Sequence, residues 1–109
     1  MRPGSSRQKG KRGEREIVAA LKPIFPEARR GYQYRDGAEV ADVVNTGPWW
    51  VEAKLGNSHS PHAALKQAVL ASAKSGLTPV AICRRDREEA IAVLRLGDFI
   101  KMITPKVET

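Results

Sequence analysis

The stretch Val40-Ala41-Asp42-Val43-Val44, then Asn45-Thr46-Gly47-Pro48, then Trp49-Trp50-Val51-Glu52-Ala53-Lys54 decides the fold. Two runs of strand composition flank a segment of turn chemistry, which is the pattern of a β-hairpin. A three-residue loop, Thr46-Gly47-Pro48, pairs Asn45 with Trp49 and so sets Asp42 opposite Glu52. Side chains alternate between the faces of a strand. One face therefore carries Val40, Asp42, Val44, Trp50, Glu52 and Lys54, and the other carries Ala41, Val43, Val51 and Ala53. The second set is wholly apolar. A one-residue slip would part Asp42 from Glu52 and mix the two sets, so the sorting itself supports the register. An Asp, a Glu and a Lys gathered on one sheet face are suited to sharing a divalent metal and a reacting phosphate.

Outward from the hairpin, helical and strand periods alternate. Glu14, Ile17, Val18 and Leu21 fall on one helical stripe, predicting a helix from Gly10 or Gly13 to Lys22 that Pro23 and Pro26 end. Glu14 stands at the head of the stripe that faces the sheet, whereas Glu16 points elsewhere as a solvated charge. Arg30 to Arg35 alternates as a short strand, and Asp36-Gly37-Ala38-Glu39 is a turn into the hairpin. After the loop Gly56 to His59, Ser60 caps a second helix with Pro61 at its first position. That helix runs to about Ser75 and stops at Gly76, with Leu65, Ala68, Val69, Ser72 and Ala73 as its apolar stripe. Thr78 to Cys83 reads as a buried strand, and Ala90 to Leu96 as another across the charged turn Arg84 to Glu89. Asp98 to Met102 is a short closing helix or turn. The order α-β-β-β-α-β-β predicts an α/β fold with a central mixed sheet flanked by helices.

A chain of 109 residues bounds this to one domain. Residues 10–109 form it, behind a basic, flexible N-terminal segment over 1–9. Nineteen Lys and Arg against twelve Asp and Glu give a net charge of +7, which points to a polyanionic partner, nucleic acid first and an anionic membrane second. The cations are clustered. Arg2, Arg7, Lys9, Lys11, Arg12 and Arg15 crowd the start, Arg29, Arg30 and Arg35 precede the hairpin, and Arg84, Arg85 and Arg87 follow the fourth strand. The lone Cys83 excludes an internal disulfide or a cysteine metal cluster and belongs mid-strand in the core. With no run of about 18 apolar residues and no apolar leader, a cytoplasmic protein with no membrane segment is expected.

Phosphodiester hydrolysis needs charge stabilised on the phosphoryl group, an activated water and a stabilised leaving oxygen, and bound Mg²⁺ serves these needs. Mg²⁺ takes oxygen ligands and keeps several waters. Asp42 and Glu52 suit it, with the backbone carbonyl of Ala53 as a third protein ligand and Glu14 as a further candidate. Lys54, two residues after Glu52 and on the same face, can hold the attacking water or neutralise the scissile phosphate. Each residue alone also has a plain reading: a strand-end aspartate, a cross-face Glu–Lys pair, a first-turn carboxylate favoured by the helix dipole. The conjunction is what points to chemistry. His59 and His62, near a helix cap without a third soft ligand, read as solvated side chains. Trp49 and Trp50 face opposite ways, so one of the two is free to stack on a base, cover the metal site or enter an interface, the other lying in the core.

Asp42…Glu52-Ala53-Lys54 resembles the PD-(D/E)XK nuclease signature, and the element order resembles that superfamily's core. Lys9-Gly10, Gly13-Glu14-Arg15-Glu16, Arg35, Asp42-Val43-Val44 and Trp50-Val51-Glu52-Ala53-Lys54 together resemble archaeal-type Holliday-junction resolvases and their phage-borne relatives, over roughly residues 9 to 83. The resemblance implies a catalytic set of Glu14, Asp42, Glu52 and Lys54. It implies DNA contacts by Arg15 and Arg35, within a basic surface of Lys9, Lys11, Arg12, Arg29 and Arg30. It also implies a Mg²⁺-dependent homodimer, with Mn²⁺ as a substitute, acting on branched DNA such as a four-way junction. In some exonuclease branches a Gln on the following helix contacts the site, which would be Gln67. Two departures stand out. Ala41 replaces the Pro that often precedes the aspartate, and Asp36-Gly37-Ala38-Glu39 replaces a Ser/Gly-rich loop. Another nuclease of the same core (nicking, restriction-type or exonucleolytic) and a non-catalytic DNA-binding module are the alternative functions.

Overall fold

The computed structural model describes residues 5–31, 40–58 and 60–105, with backbone alone over 5–10. In chain order the elements are α1 (Ser5–Leu21), β1 (Arg29–Arg30), β2 (Val43–Val44), β3 (Trp49–Leu55), α2 (Pro61–Ser72), β4 (Thr78–Arg84), β5 (Ile91–Val93) and α3 (Leu96–Ile103). The expected order holds, and α3 makes the closing segment a helix. The strands form one mixed sheet, β1-β2-β3-β4-β5. The pairs β1–β2, β2–β3 and β4–β5 are antiparallel, and β3–β4 is parallel, with α2 as the crossover.

The hairpin has the register its pattern requires. Val43 pairs with Val51, the same alignment that sets Asn45 against Trp49 and Asp42 against Glu52. Asn45 and Gly47 take left-handed backbone conformations, φ 63° and 61°. The Thr46 hydroxyl donates to the Trp49 carbonyl at 3.0 Å, and the Asn45 side-chain amide donates to the Glu27 carbonyl at 3.1 Å. Gly47 is doubly constrained, because a Cβ there would also lie 3.0 Å from the Phe25 ring.

Side-chain alternation gives the sheet two different faces. Val43, Val51 and Val80 point to one side, where Ile17 and Val18 of α1 close the main core with Leu21, Phe25 and Trp49 around it. Burial of each such aliphatic side chain stabilises by about 1.5–3 kcal/mol. Trp50, Glu52 and Lys54 point to the other side, next to Pro79, Ala81 and Cys83 in the β3–β4 register. Helix α2 packs there on β3 and β4 through Ala64, Ala68 and Ser72. These three are small and spaced i, i+4, i+8, which lets the helix approach closely. Ala68 and Ser72 belong to the expected stripe; Ala64 joins them, Leu65 and Val69 are only half-buried, and Ala73 and Leu70 are exposed. The α2 cap is as expected: Ser60 Oγ accepts from the Ala63 N–H at 3.0 Å, and Pro61 follows.

Several boundaries differ from the sequence pattern: β2 is Val43–Val44 rather than a run from Val40, and α2 ends at Ser72 rather than about Ser75. Helix α1 begins at Ser5, so residues 5–9, expected as a flexible lead, are helical. Gln and the Lys and Arg residues are good helix formers and carry it through Gly10. Strand β1 is Arg29–Arg30, so the expected Arg30 to Arg35 strand begins one residue earlier; residues 32–39, which hold the rest of that expected strand, Arg35 and the expected turn, lie outside the described residues. Strand β5 stops at Val93, short of the expected Leu96, because α3 begins there.

Gly31 fixes how closely β1 approaches the hairpin. Its N–H donates to the Asp42 carbonyl at 2.8 Å, and a Cβ on it would lie 1.9 Å from the Ala41 carbonyl oxygen. That obstacle is backbone and cannot swing aside. Gly31→Ala is expected to lower stability by about 1–3 kcal/mol. Gly97→Ala, which meets nothing within 4 Å in a helix, should be neutral or stabilise by up to about 1 kcal/mol. Urea midpoints of the two variants check this, and equal midpoints would contradict it.

Candidate functional site

Asp42 sits where the hairpin ladder breaks. The chain bends there, its N–H donates to the Val51 carbonyl at 3.0 Å and its carbonyl accepts from Gly31. Its Oδ2 accepts the Ala53 N–H at 2.8 Å. A side chain thus takes the place of a backbone acceptor, and both backbone groups and the carboxylate of Asp42 are held at once. One residue along the partner strand, Glu52 is buried, and its Oε1 accepts the Trp50 indole N–H at 2.8 Å. Trp50 and Glu52 are two apart on a strand and so share a face.

The Asp42 and Glu52 carboxyl groups meet within hydrogen-bonding reach of each other, with Lys54 near enough to act on Glu52 by charge. Burial is the largest influence on Glu52, and its contact with Asp42 adds to it. Together they push its pKa from the ordinary 4.5 up to about 7, against the smaller opposing effects of the Trp50 N–H and the Lys54 ammonium. Two carboxyl groups this close cannot both ionise cheaply, and below about pH 7 a proton on Glu52 relieves the repulsion between them. Cys83 lies opposite Lys54 in the β3–β4 register. It is only half-buried, not a core residue as expected; burial pushes its thiol pKa up, while Lys54 draws it down.

Glu14 is placed elsewhere. Its Oε1 accepts from Arg30 Nε at 2.9 Å. Arg30 pairs with Val43 in the ladder, so this ion pair lies on the α1 side of the sheet, away from the face of Glu52 and Lys54. Among the described residues, no three His, Cys, Asp or Glu side chains gather as a group that could hold a metal ion. Glu16, expected as a solvated charge, pairs with Arg84 of β4 while remaining half-exposed.

The basic candidates divide by position. Lys11, Arg12 and Arg15 are exposed on α1, and Lys9 lies in the same helix. Arg29 is exposed on β1, its guanidinium donating to the Arg30 carbonyl at 3.3 Å. Gln67 and His62 are exposed on α2; His59, like Arg35, lies outside the described residues. Trp49 packs against the main core from one face while the buried Trp50 serves the other, so neither is the free one that the alternation predicts, because both faces of the sheet are covered there. Compared with known proteins, the chain matches no family model, no curated protein and no solved structure.

The pattern missed Trp50 as the group that orients Glu52. The signal was the i, i+2 spacing together with an indole N–H that needs a partner when buried. It also missed Gly31, which becomes visible only once β1 is seen against Asp42.

The Glu52 shift sets a stability profile. In the unfolded chain the group ionises near 4.5, in the folded chain near 7. The folded state binds the proton more tightly, so stability is full below pH 4.5, falls between 4.5 and 7, and stays lower above. Glu52→Gln keeps an oxygen for Trp50 and offers an N–H to Asp42. Metal-free, it should be more stable than the unaltered protein at pH 8, and should lose the decline between pH 4.5 and 7. Denaturant titrations across that range test this, and equal stability at pH 8 would show the pair is not strained.

Proposed function

We propose that the protein is a metal-dependent, structure-selective DNA endonuclease that cuts four-way junctions by paired phosphodiester hydrolysis, in the manner of PD-(D/E)XK resolvases. The observation that carries this reading is the meeting of the Asp42 and Glu52 carboxyl groups beside Lys54 on one sheet face.

The donor set fits a hard divalent cation. Both side chains are carboxylates, and Trp50 and Ala53 already fix one oxygen of each, leaving the others for a ligand. A cation in place of the Glu52 proton relieves the same repulsion. Mg²⁺ keeps several waters and needs few protein ligands, so the pair and the Ala53 carbonyl suffice, and Mn²⁺ would substitute. When bound, the ion supplies charge neutralisation at the scissile phosphate and lowers the pKa of a bound water.

The chain's own residues do the rest. Trp50 holds Glu52 in one orientation, and the Ala53 amide holds Asp42. Lys54 places its ammonium on the same face to position the water or the phosphate. Glu14 works at a distance by holding Arg30 at the β1 edge. Lys9, Lys11, Arg12 and Arg15 on α1, with Arg29, grip the backbone of DNA arms that pass the α1 side of the sheet, opposite the carboxylate pair, which positions the substrate without reading its sequence. Such contacts make binding strongly salt-dependent. Paired cuts need two active sites, hence a two-fold homodimer.

Incubation of a four-way junction and a linear duplex of equal sequence with Mg²⁺ tests the proposal. Symmetric nicks confined to the junction are expected, with Glu52→Gln and Asp42→Asn each reducing the rate at least about 10²-fold, or roughly 2.7 kcal/mol at the barrier. Equal cutting of linear duplex would make it another nuclease of the same core. DNA binding with no cleavage in Mg²⁺ or Mn²⁺ would make it a binding module.

A further inference from the structure

Helix α3 is built inside out. Leu96, Phe99, Ile100 and Ile103 recur at i, i+3, i+4 and i+7, one apolar stripe, and all four are exposed, Leu96 by 71% and Ile103 by 58%. The one residue of the helix that is not exposed is the charged Asp98, whose carboxylate accepts from Arg95 Nε at 2.8 Å. A surface helix ordinarily turns its apolar stripe inward; α3 turns it to solvent, with Met102 alongside, 53% exposed. Eight residues are also too few for a helix to hold by itself in water, so such a helix depends on packing its apolar side.

We infer that the α3 stripe is the seat of a second copy of this chain, packed as an antiparallel helix pair about a two-fold axis. The spacing makes the stripe complementary to itself. With the axis between positions 99 and 100, Leu96 of one copy faces Ile103 of the other and Phe99 faces Ile100, so each apolar side chain meets an apolar one. The same patch serves both copies, as an isologous interface requires. The stripe carries no charge, so two chains of net charge +7 can meet there without placing cations against each other. The assignment names the partner that the paired-cleavage reading rests on, but its evidence is the surface alone.

The full chain at micromolar concentration in about 0.15 M salt, where surface repulsion is screened, should sediment at twice its 12.0 kDa mass. Ile100→Glu should weaken association at least 100-fold, leave the far-ultraviolet circular dichroism unchanged, and replace paired cuts of a four-way junction by single nicks. A second variant fixes the geometry: Leu96→Cys with Ile103→Cys, in a Cys83→Ser background, should oxidise to dimers joined 96 to 103, identified by peptide mass. A monomeric unaltered protein, a dimer indifferent to Ile100→Glu, or cross-links joining 96 to 96 would overturn the inference. So would flotation of the monomer with anionic phospholipid vesicles, which would assign the stripe to a membrane surface. A monomer that still cuts junctions would overturn this surface and leave the nuclease reading standing; a dimer that cuts no DNA would do the reverse.

Discussion

Two carboxyl groups pressed together in a half-buried setting are a standing cost to this fold, and much of the local structure exists to impose it. Left to itself, Glu52 would swing towards water. Burial and the Trp50 indole N–H, which holds one of its oxygens, prevent that. Asp42 is held more firmly still, by its N–H, its carbonyl and its carboxylate together. The favourable partners of the charged forms, Lys54 and Trp50, are outweighed by burial and mutual contact, which is why Glu52 holds its proton up to about pH 7. Perturbed carboxylates held this way concentrate at functional sites, because only there is the strain useful.

The sheet separates structure from chemistry by its two faces. On the α1 face the core is aliphatic, and the charges at its margin are paired: Glu14 with Arg30 and Glu16 with Arg84. Partly exposed pairs of this kind contribute about 0–1 kcal/mol, so the aliphatic contacts of Ile17 and Val18 are what hold α1 on the sheet. Lys11, Arg12 and Arg15 lie exposed on the same helix. On the other face α2 covers Trp50 and Ala81 with small residues and leaves the Lys54 end open, where Gly56, Pro61, Cys83 and Arg85 line a cleft of about 520 Å³. Acidic pair, ammonium and cleft thus lie on one side, while α1 holds its basic row on the other.

The hairpin register was legible because two independent patterns, the alternation and the turn, specify the same pairing. The α2 cap was legible because Ser60-Pro61 is local chemistry. The position of Glu14 was not. Helical periodicity showed that it points at the sheet, but not that the carboxylate pair projects from the sheet's far side, nor that Arg30 would be its neighbour across 16 residues of sequence. The bend at Asp42 was equally hidden, since it arises from a side chain competing for the Ala53 amide. The start of α1 was misjudged because Gly10 and the like charges around it argue against a helix that other propensities allow. The outward stripe of α3 had no signature either: its period says amphipathic, and only the fold says which way it faces.

The central claim is that Asp42 and Glu52 form one cation-ready site. A carboxyl-carbon NMR titration of Glu52, without and with Mg²⁺, tests it most directly. The account predicts a midpoint near 7 in the metal-free protein, moving down as Mg²⁺ displaces the Glu52 proton. A midpoint in the ordinary carboxylate range that ignores Mg²⁺ would contradict it.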